Sequence, residues 1–342
     1  MTKPHYLYRA GASSGHRLKW SFTILVFMLG LISFDNSMAR DLLLESAPAA
    51  CGAPPAASPA PPAAAAQRIE NSQVVSGQKD IAWAWLGSPT ARYPHAALGS
   101  RFHAASLHVM VTVSASSAHR VSETAQELVY TLPLNRVFED RTLRLVDLDR
   151  DGRDEIIVVE SDVLRGSSLV VLGLQAQNKG LREIARSPYT GSSFRWLNPL
   201  GVADFDNDGR LDIAAVITPH VGGVLTLYHF RPPRLVPYAT LTDTSNHRMG
   251  SSEQQLGVIV EQPGLRPTII VPDMSLKALH VLRWEKSDAR SLQEKPDLWH
   301  ELANALPLPA RVERITALPG GACVMLADGS WQRLTMTSTG KP

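Results

Sequence analysis

The 342-residue sequence holds two cysteines, Cys51 and Cys323, and neither sits in a CxxC pair. Outside the leader there is no GxSxG, and there is no HExxH and no P-loop, so none of the common hydrolase, metalloprotease or nucleotide signatures is present there. "GASSG" (Gly11–Gly15) stands in the leader and carries no chemistry. Helical periodicity is also lacking, and only one run is long and strongly apolar. Charge of one sign is scarce. The formal charge of +2 rests on Lys3, Arg9, Arg17 and Lys19 against Asp35, which leaves 30 basic and 31 acidic residues in the rest. That near-balance excludes a nucleic-acid footprint.

What is present begins with a leader. A basic stretch to Lys19 precedes "SFTILVFMLGLISF" (Ser21–Phe34), and "NSMA" ends at Ala39. The pattern predicts a secretory signal peptide over residues 1–39, or an uncleaved anchor. The apolar run is short for a spanning helix, which needs roughly 20 residues. Export to the periplasm or beyond follows as an expectation. "APAACGAPPAASPAPPAAAA" (Ala47–Ala66) comes next, so residues 40–80 are expected to form an Ala/Pro-rich disordered tether. Cys51 lies too far from the apolar run for lipidation. Export permits a disulfide, but the sequence leaves open whether Cys51 meets Cys323.

From Ile81 onward short apolar runs recur, among them "IAWAWLG", "SLHVMVTVS", "EIIVVES", "SSLVVLGL", "LDIAAVIT", "GVLTLYHF", "PTIIVPD" and "ACVMLAD". Gly, Pro, Asp, Asn and Ser separate them, which is strand-and-turn punctuation. An internal repeat then fixes the architecture. "LRLVDLDRDGRDEIIVVESDVLRGSSLVVLGL" aligns with "PLGVADFDNDGRLDIAAVITPHVGGVLTLYHF", and "LGVIVEQPGLRPTIIVPDMSLKALHVLRW" keeps the frame, with Gly264 matching Gly209. The reading is an all-β domain over residues 81–340, a β-propeller of about five four-stranded blades.

Two nonapeptides inside that repeat carry the chemistry: "DLDRDGRDE" and "DFDNDGRLD". The first offers Asp147, Asp149, Asp151 and Glu155, with the Arg153 carbonyl between them. The second offers Asp204, Asp206, Asp208 and Asp212, with the Arg210 carbonyl. Gly152 and Gly209 stand where a sharp turn wants positive φ. A flexible loop of hard oxygen donors suits Ca²⁺ better than Zn²⁺ or Cu²⁺. An EF-hand is excluded. Its position-12 glutamate is replaced by Val158 and Ala215, and the flanks are strand sequences. The third copy has Ile259, Glu261, Pro263 and Pro267 at the ligand positions, so two calcium sites are expected and not three.

"DLDRDGRDEIIVV" and "DFDNDGRLDIAAV", with the strands that follow, resemble the FG-GAP or VCBS repeat family, the calcium-loop propellers also found at the head of integrin α chains. The resemblance covers Leu143–Leu334 well and Ile81–Arg141 weakly. It implies an oxygen-ligated Ca²⁺ in each loop. "AWLGSPTARYPH", "RWLNPLGVADFDNDG", "TPHVGG" and "SNHRMGS" are similar to a bacterial exported group without established activity.

"RWLNP" and "SNHRM" each precede the first strand of a blade, so Trp196, Asn198, Asn246, His247 and Arg248 are expected to gather on one axial face. The first functional reading is a non-enzymatic exported module that binds a protein or glycan of the cell envelope, with Ca²⁺ as a structural clamp. The second is a polysaccharide lyase or hydrolase on the same disc, with His220, His247 and Arg195 to carry it. The third is a scaffold subunit held at the membrane by an uncleaved leader. Fold alone does not choose among them.

Overall fold

The computed structural model describes residues 42–47, 51, 60–117, 120–285 and 298–336. The leader and most of the Ala/Pro stretch lie outside the described residues. The strands form three hydrogen-bonded sheets of 4, 13 and 4 strands, and the large one is three four-stranded antiparallel blades joined at a few bridges, which makes five blades in all. The first strand, β1 (Leu42–Ser46), belongs to the last sheet. Blade 1 is β2 (Val75–Ser76), β3 (Ile81–Thr90), β4 (His103–Ser117) and β5 (Arg120–Thr131). A short β6 (Arg136–Phe138) bridges β4 to the next blade. Blade 2 is β7 (Arg144–Val146), β8 (Glu155–Asp162), β9 (Gly166–Leu174) and β10 (Leu181–Arg186). Blade 3 is β11 (Leu197–Ala203), β12 (Asp212–Ile217), β13 (Val224–Arg231) and β14 (Arg234–Thr242). Blade 4 is β15 (Val258–Val260), β16 (Thr268–Pro272), β17 (Ala278–Glu285) and β18 (Leu298–Pro307). Blade 5 is β19 (Val312–Leu318), β20 (Gly321–Leu326) and β21 (Trp331–Met336), completed by β1. This is a five-bladed β-propeller.

The sequence explains the stacking. Side chains alternate faces along a strand. In β8, Ile156 and Val158 join the core between blades 1 and 2, while Ile157 and Val159 join the core between blades 2 and 3. In β12, Ile213 and Ala215 look back to blade 2, and Ala214 and Val216 look on to blade 4. Both faces of a middle strand are dry, so the sequence runs apolar without a break. Outer strands have a wet side and alternate instead. In β14, Leu235 and Ala239 are buried while Arg234, Val236 and Thr240 are exposed, and Pro237 is accommodated where the register shifts beside Tyr228. Such strands carry a weaker apolar signal.

The tether reading of residues 40–80 is corrected here. Leu42 to Ser46 pair in register with Met336 to Gln332, and Leu42 and Leu44 pack on the core between blades 4 and 5. A 3-10 turn, Ala63–Gln67, follows later, Ile69 is buried, and β2 begins blade 1 at Val75. Cys51 forms a disulfide with Cys323 of β20, with Cα atoms 5.5 Å apart. The physical reason is edge satisfaction: β21 would otherwise leave its N–H and C=O groups unpaired at the rim. Alanine and proline composition hid a short "LLLES" strand that has only five residues to announce itself.

Candidate metal centres and the opposite face

In a four-stranded antiparallel blade, successive connections leave from alternate ends. The β7–β8 and β11–β12 loops therefore share one face of the disc. The β3–β4 and β12–β13 connections and every blade-to-blade crossing share the other.

Each nonapeptide forms the β-hairpin between the first two strands of its blade, and its last acid opens the second strand, Glu155 in β8 and Asp212 in β12. The loops are near copies in backbone. Arg150 (φ 62) matches Asn207 (φ 59), and Gly152 (φ 89) matches Gly209 (φ 85). The Gly152 N–H donates to Asp147 Oδ2 at 3.0 Å, and the Gly209 N–H to Asp204 Oδ2 at 2.9 Å.

Two groups of carboxylates converge. Ligand oxygens of Asp147, Asp149 and Glu155 lie within 4.8 Å of one another, and so do those of Asp204, Asp206 and Asp212. The fourth acid of each loop stands apart. Asp151 Oδ1 accepts the Arg153 N–H at 2.9 Å, while Asp208 accepts the Arg210 N–H at 2.9 Å and pairs with Arg231 at 3.3 Å. Among the described residues no third acidic group of this kind occurs, in keeping with Ile259, Glu261, Pro263 and Pro267.

Both groups hold more negative charge than their surroundings stabilise. Burial pushes Glu155 up to about 7; the Leu148 N–H at 2.8 Å opposes this, and Asp149, Asp151 and Asp147 add to it. Burial raises Asp212 to about 6 although His229 and Tyr238 bond its two oxygens at 3.0 and 2.9 Å. Asp147 Oδ1 is buried and has no hydrogen-bond partner. An orphaned carboxylate oxygen beside two further acids fits a hard cation. These groups could hold a metal ion.

Sequence reading missed the partners that brace the loops. Lys79 Nζ stands 3.8 Å from Asp147, Asp80 pairs with Arg153 at 2.6 Å, and Arg150 donates to the Gly209 carbonyl at 2.8 Å. These come from other blades, so no local pattern announces them.

The opposite face gathers the expected residues and several others. Asn198 donates to the Asn246 carbonyl at 3.2 Å, and Asn246 returns a bond to the Asn198 carbonyl at 3.1 Å. His220 Nε2 lies 2.7 Å from His247 Nδ1, and His247 Nε2 lies 2.9 Å from the Ser251 carbonyl. A carbonyl only accepts, so His247 donates from Nε2, and its bare Nδ1 takes the His220 proton. Trp196 stacks on His220 with ring centres 5.8 Å apart and donates to the Glu139 carbonyl at 2.9 Å. Burial lowers His220 to about 4 and His247 to about 3. Neutral, committed imidazoles of this kind pin loops. Arg195 does not join them; its side chain is exposed, and its carbonyl accepts from Ser167 and Thr190 at 2.9 and 2.7 Å. Arg248 reaches away to Glu313 at 2.6 Å. Beside them, unforeseen, His95 lies 2.6 Å from Glu139, and the buried Tyr93 bonds the Phe194 N–H at 2.6 Å.

The FG-GAP-like repeat family matches residues 141–215, which span blade 2 and the first half of blade 3. No curated protein matches the chain. Among solved structures, the Trypanosoma rangeli sialidase with 2,3-difluorosialic acid aligns at 13% identity and a TM-score of 0.41, covering 78% of this chain and 44% of its own. The same sialidase with sialic acid aligns at 13% identity and 0.39, covering 79% and 45%. The chain thus spans less than half the length of these enzymes, and a likeness this distant carries no argument about substrate.

Proposed function

We propose that this chain, a β-propeller whose residues 141–215 form an FG-GAP-like repeat, is an exported calcium-clamped binding module. The single observation behind the clamp is the meeting of Asp147, Asp149 and Glu155, and of Asp204, Asp206 and Asp212, with a buried Asp147 oxygen that has no hydrogen-bond partner. Ca²⁺ would be held by these carboxylates, with the Arg153 and Arg210 carbonyls adding to the oxygen set; Asp151 and Asp208 would have to turn from their present partners to join it. The ion would neutralise charge that burial disfavours and lock each hairpin. The face opposite the loops, built around Trp196, Asn198, Asn246 and His247, then serves as a rigid platform for a protein or glycan of the cell envelope. Its histidines are spent on holding loops, which favours binding over catalysis there.

Calcium titration calorimetry on the full chain, paired with melting in EGTA and in Ca²⁺, tests the clamp. Two sites and a higher melting temperature in Ca²⁺ are expected. Identical melting in both, with no heat of binding, would reduce the nonapeptides to turn chemistry.

A further inference from the structure

Blade 1 carries a constellation that neither the repeat nor the calcium loops explain. Ser106 and His108 lie two residues apart on β4 and so share a face. Ser106 Oγ is 2.8 Å from His108 Nε2, and His108 Nδ1 is 2.7 Å from Glu127 Oε1 on β5. On the far side, Ser106 Oγ donates to Ser88 Oγ at 2.7 Å. Four side chains from three strands thus form one unbroken hydrogen-bonded chain, from a carboxylate through an imidazole to two hydroxyls.

Four further facts separate this chain from an ordinary surface ladder. Ser88 holds φ at 52, a left-handed conformation that strains a non-glycine residue. It is exposed, whereas Ser106 is only 1% exposed. Trp85 stacks on His108 with ring centres 5.4 Å apart and planes 18° from parallel, and a Cβ on Gly87 would lie 2.5 Å from His108 Nε2, so the ring is gripped on its neighbours. The outer end of the chain opens on a cleft of about 420 Å³, walled by Ala64, Gln67, Trp85, Ser88, Pro89 and His108, with Glu127 at its rim. The wall at Ala64 and Gln67 is the 3-10 turn of the supposed tether.

We propose that this cleft is a hydrolytic site for short-chain carboxylic esters, with Ser88 as nucleophile, Ser106 as proton relay, His108 as base and Glu127 holding the ring. The geometry satisfies what nucleophilic catalysis asks: nucleophile, base and orienting acid in hydrogen-bond series beside an open pocket. In the armed arrangement both hydroxyl bonds run towards the ring, Ser88 donating to Ser106 and Ser106 to His108 Nε2, with His108 Nδ1 donating to Glu127. Ser88 Oγ then adds to the ester carbonyl carbon, and its proton passes through Ser106 to His108. Collapse of the adduct breaks the C–O bond to the alcohol, which leaves with that proton. Water attacks the acyl-Ser88 in the same way. The C–O bond to Ser88 breaks, the relay returns its proton, and the carboxylic acid departs. Gln67 is the amide-bearing residue of the cleft wall, and the proposal assigns it to the carbonyl oxygen. The proposal does not rest on the calcium reading, because no member of the chain belongs to either acidic loop.

The test is labelling of the full chain with a fluorophosphonate probe, peptide mapping of the adduct, and hydrolysis of p-nitrophenyl acetate. The expected result is one adduct, on Ser88. Hydrolysis should fall about 100-fold or more in Ser88→Gly, a change that suits the positive φ, and in His108→Gln. The absence of an adduct, an adduct on another residue, or wild-type hydrolysis by Ser88→Gly would overturn the proposal.

Discussion

At the residue scale, the tightest constraints are on charge. Asp149→Ala and Asp206→Ala each remove one of three converging carboxylates. Each should cut the calcium stoichiometry from two to one and lower the melting temperature by a few degrees in Ca²⁺ but not in EGTA; calorimetry and thermal melts check both. The histidine pair sets a pH limit. His220 and His247 sit below their ordinary value, at about 4 and about 3, because burial disfavours their charged forms. The unfolded chain therefore takes up protons that the folded chain refuses. Stability is full above the unfolded value of about 6.5 and falls as pH drops through the folded values, by at most about 1.4 kcal/mol per pH unit for the buried His247 and less for the partly exposed His220. Melting temperature measured from pH 7 to pH 4 should decline, and His247→Gln should decline less steeply. A parallel decline in the variant would show that other groups set the acid limit.

At the scale of elements, the blades obey one rule: inner faces dry on both sides, outer strands wet on one. Ile157 and Ile213 meet in the core between blades 2 and 3 and are both fully buried. Truncating either to alanine should cost about 2–5 kcal/mol in a urea melt. A change on the exposed side of β14, such as Val236→Thr, should cost little. The decisive element is β1. A chain that begins at residue 67 loses both β1 and Cys51, so β21 becomes a bare edge. Lower stability and concentration-dependent association in sedimentation experiments are expected. A monomer as stable as the parent would mean that β1 contributes nothing to ring closure.

At the scale of the whole molecule, the two ends of the chain are fastened twice, once by strand pairing and once by a covalent link across 272 residues. A cross-link over so long a loop removes much of the unfolded chain's freedom, typically about 2–4 kcal/mol in stability. Reduction, or Cys51→Ser with Cys323→Ser, should lower the melting temperature while leaving calcium binding intact, since neither cysteine touches an acidic loop. The disc also separates its roles by face. Charge gathers where the first two strands of blades 2 and 3 turn, and aromatic and histidine side chains gather where blades cross over. Arg150 ties the first acidic loop to the second through the Gly209 carbonyl, so the two acidic loops share a contact.

The sequence by itself determined the repeat, the all-β class and the two loops, because each is written locally; it put the blades at about five, and the strand pairing decided the count. A middle strand must be apolar throughout, and a tight acidic hairpin must place glycine at its sixth position. Asp147, Asp149, Glu155, Asp204, Asp206 and Asp212 were legible for the same reason. Only the tertiary structure decided that "LLLES" closes the ring, that Cys51 reaches Cys323, that Asp151 and Asp208 stand outside their groups, and that Ser88, Ser106, His108 and Glu127 form one chain. Those are pairings between distant segments, fixed by which edge remains unsatisfied and which strands lie side by side. Neither condition leaves a periodic mark in the residues that meet it.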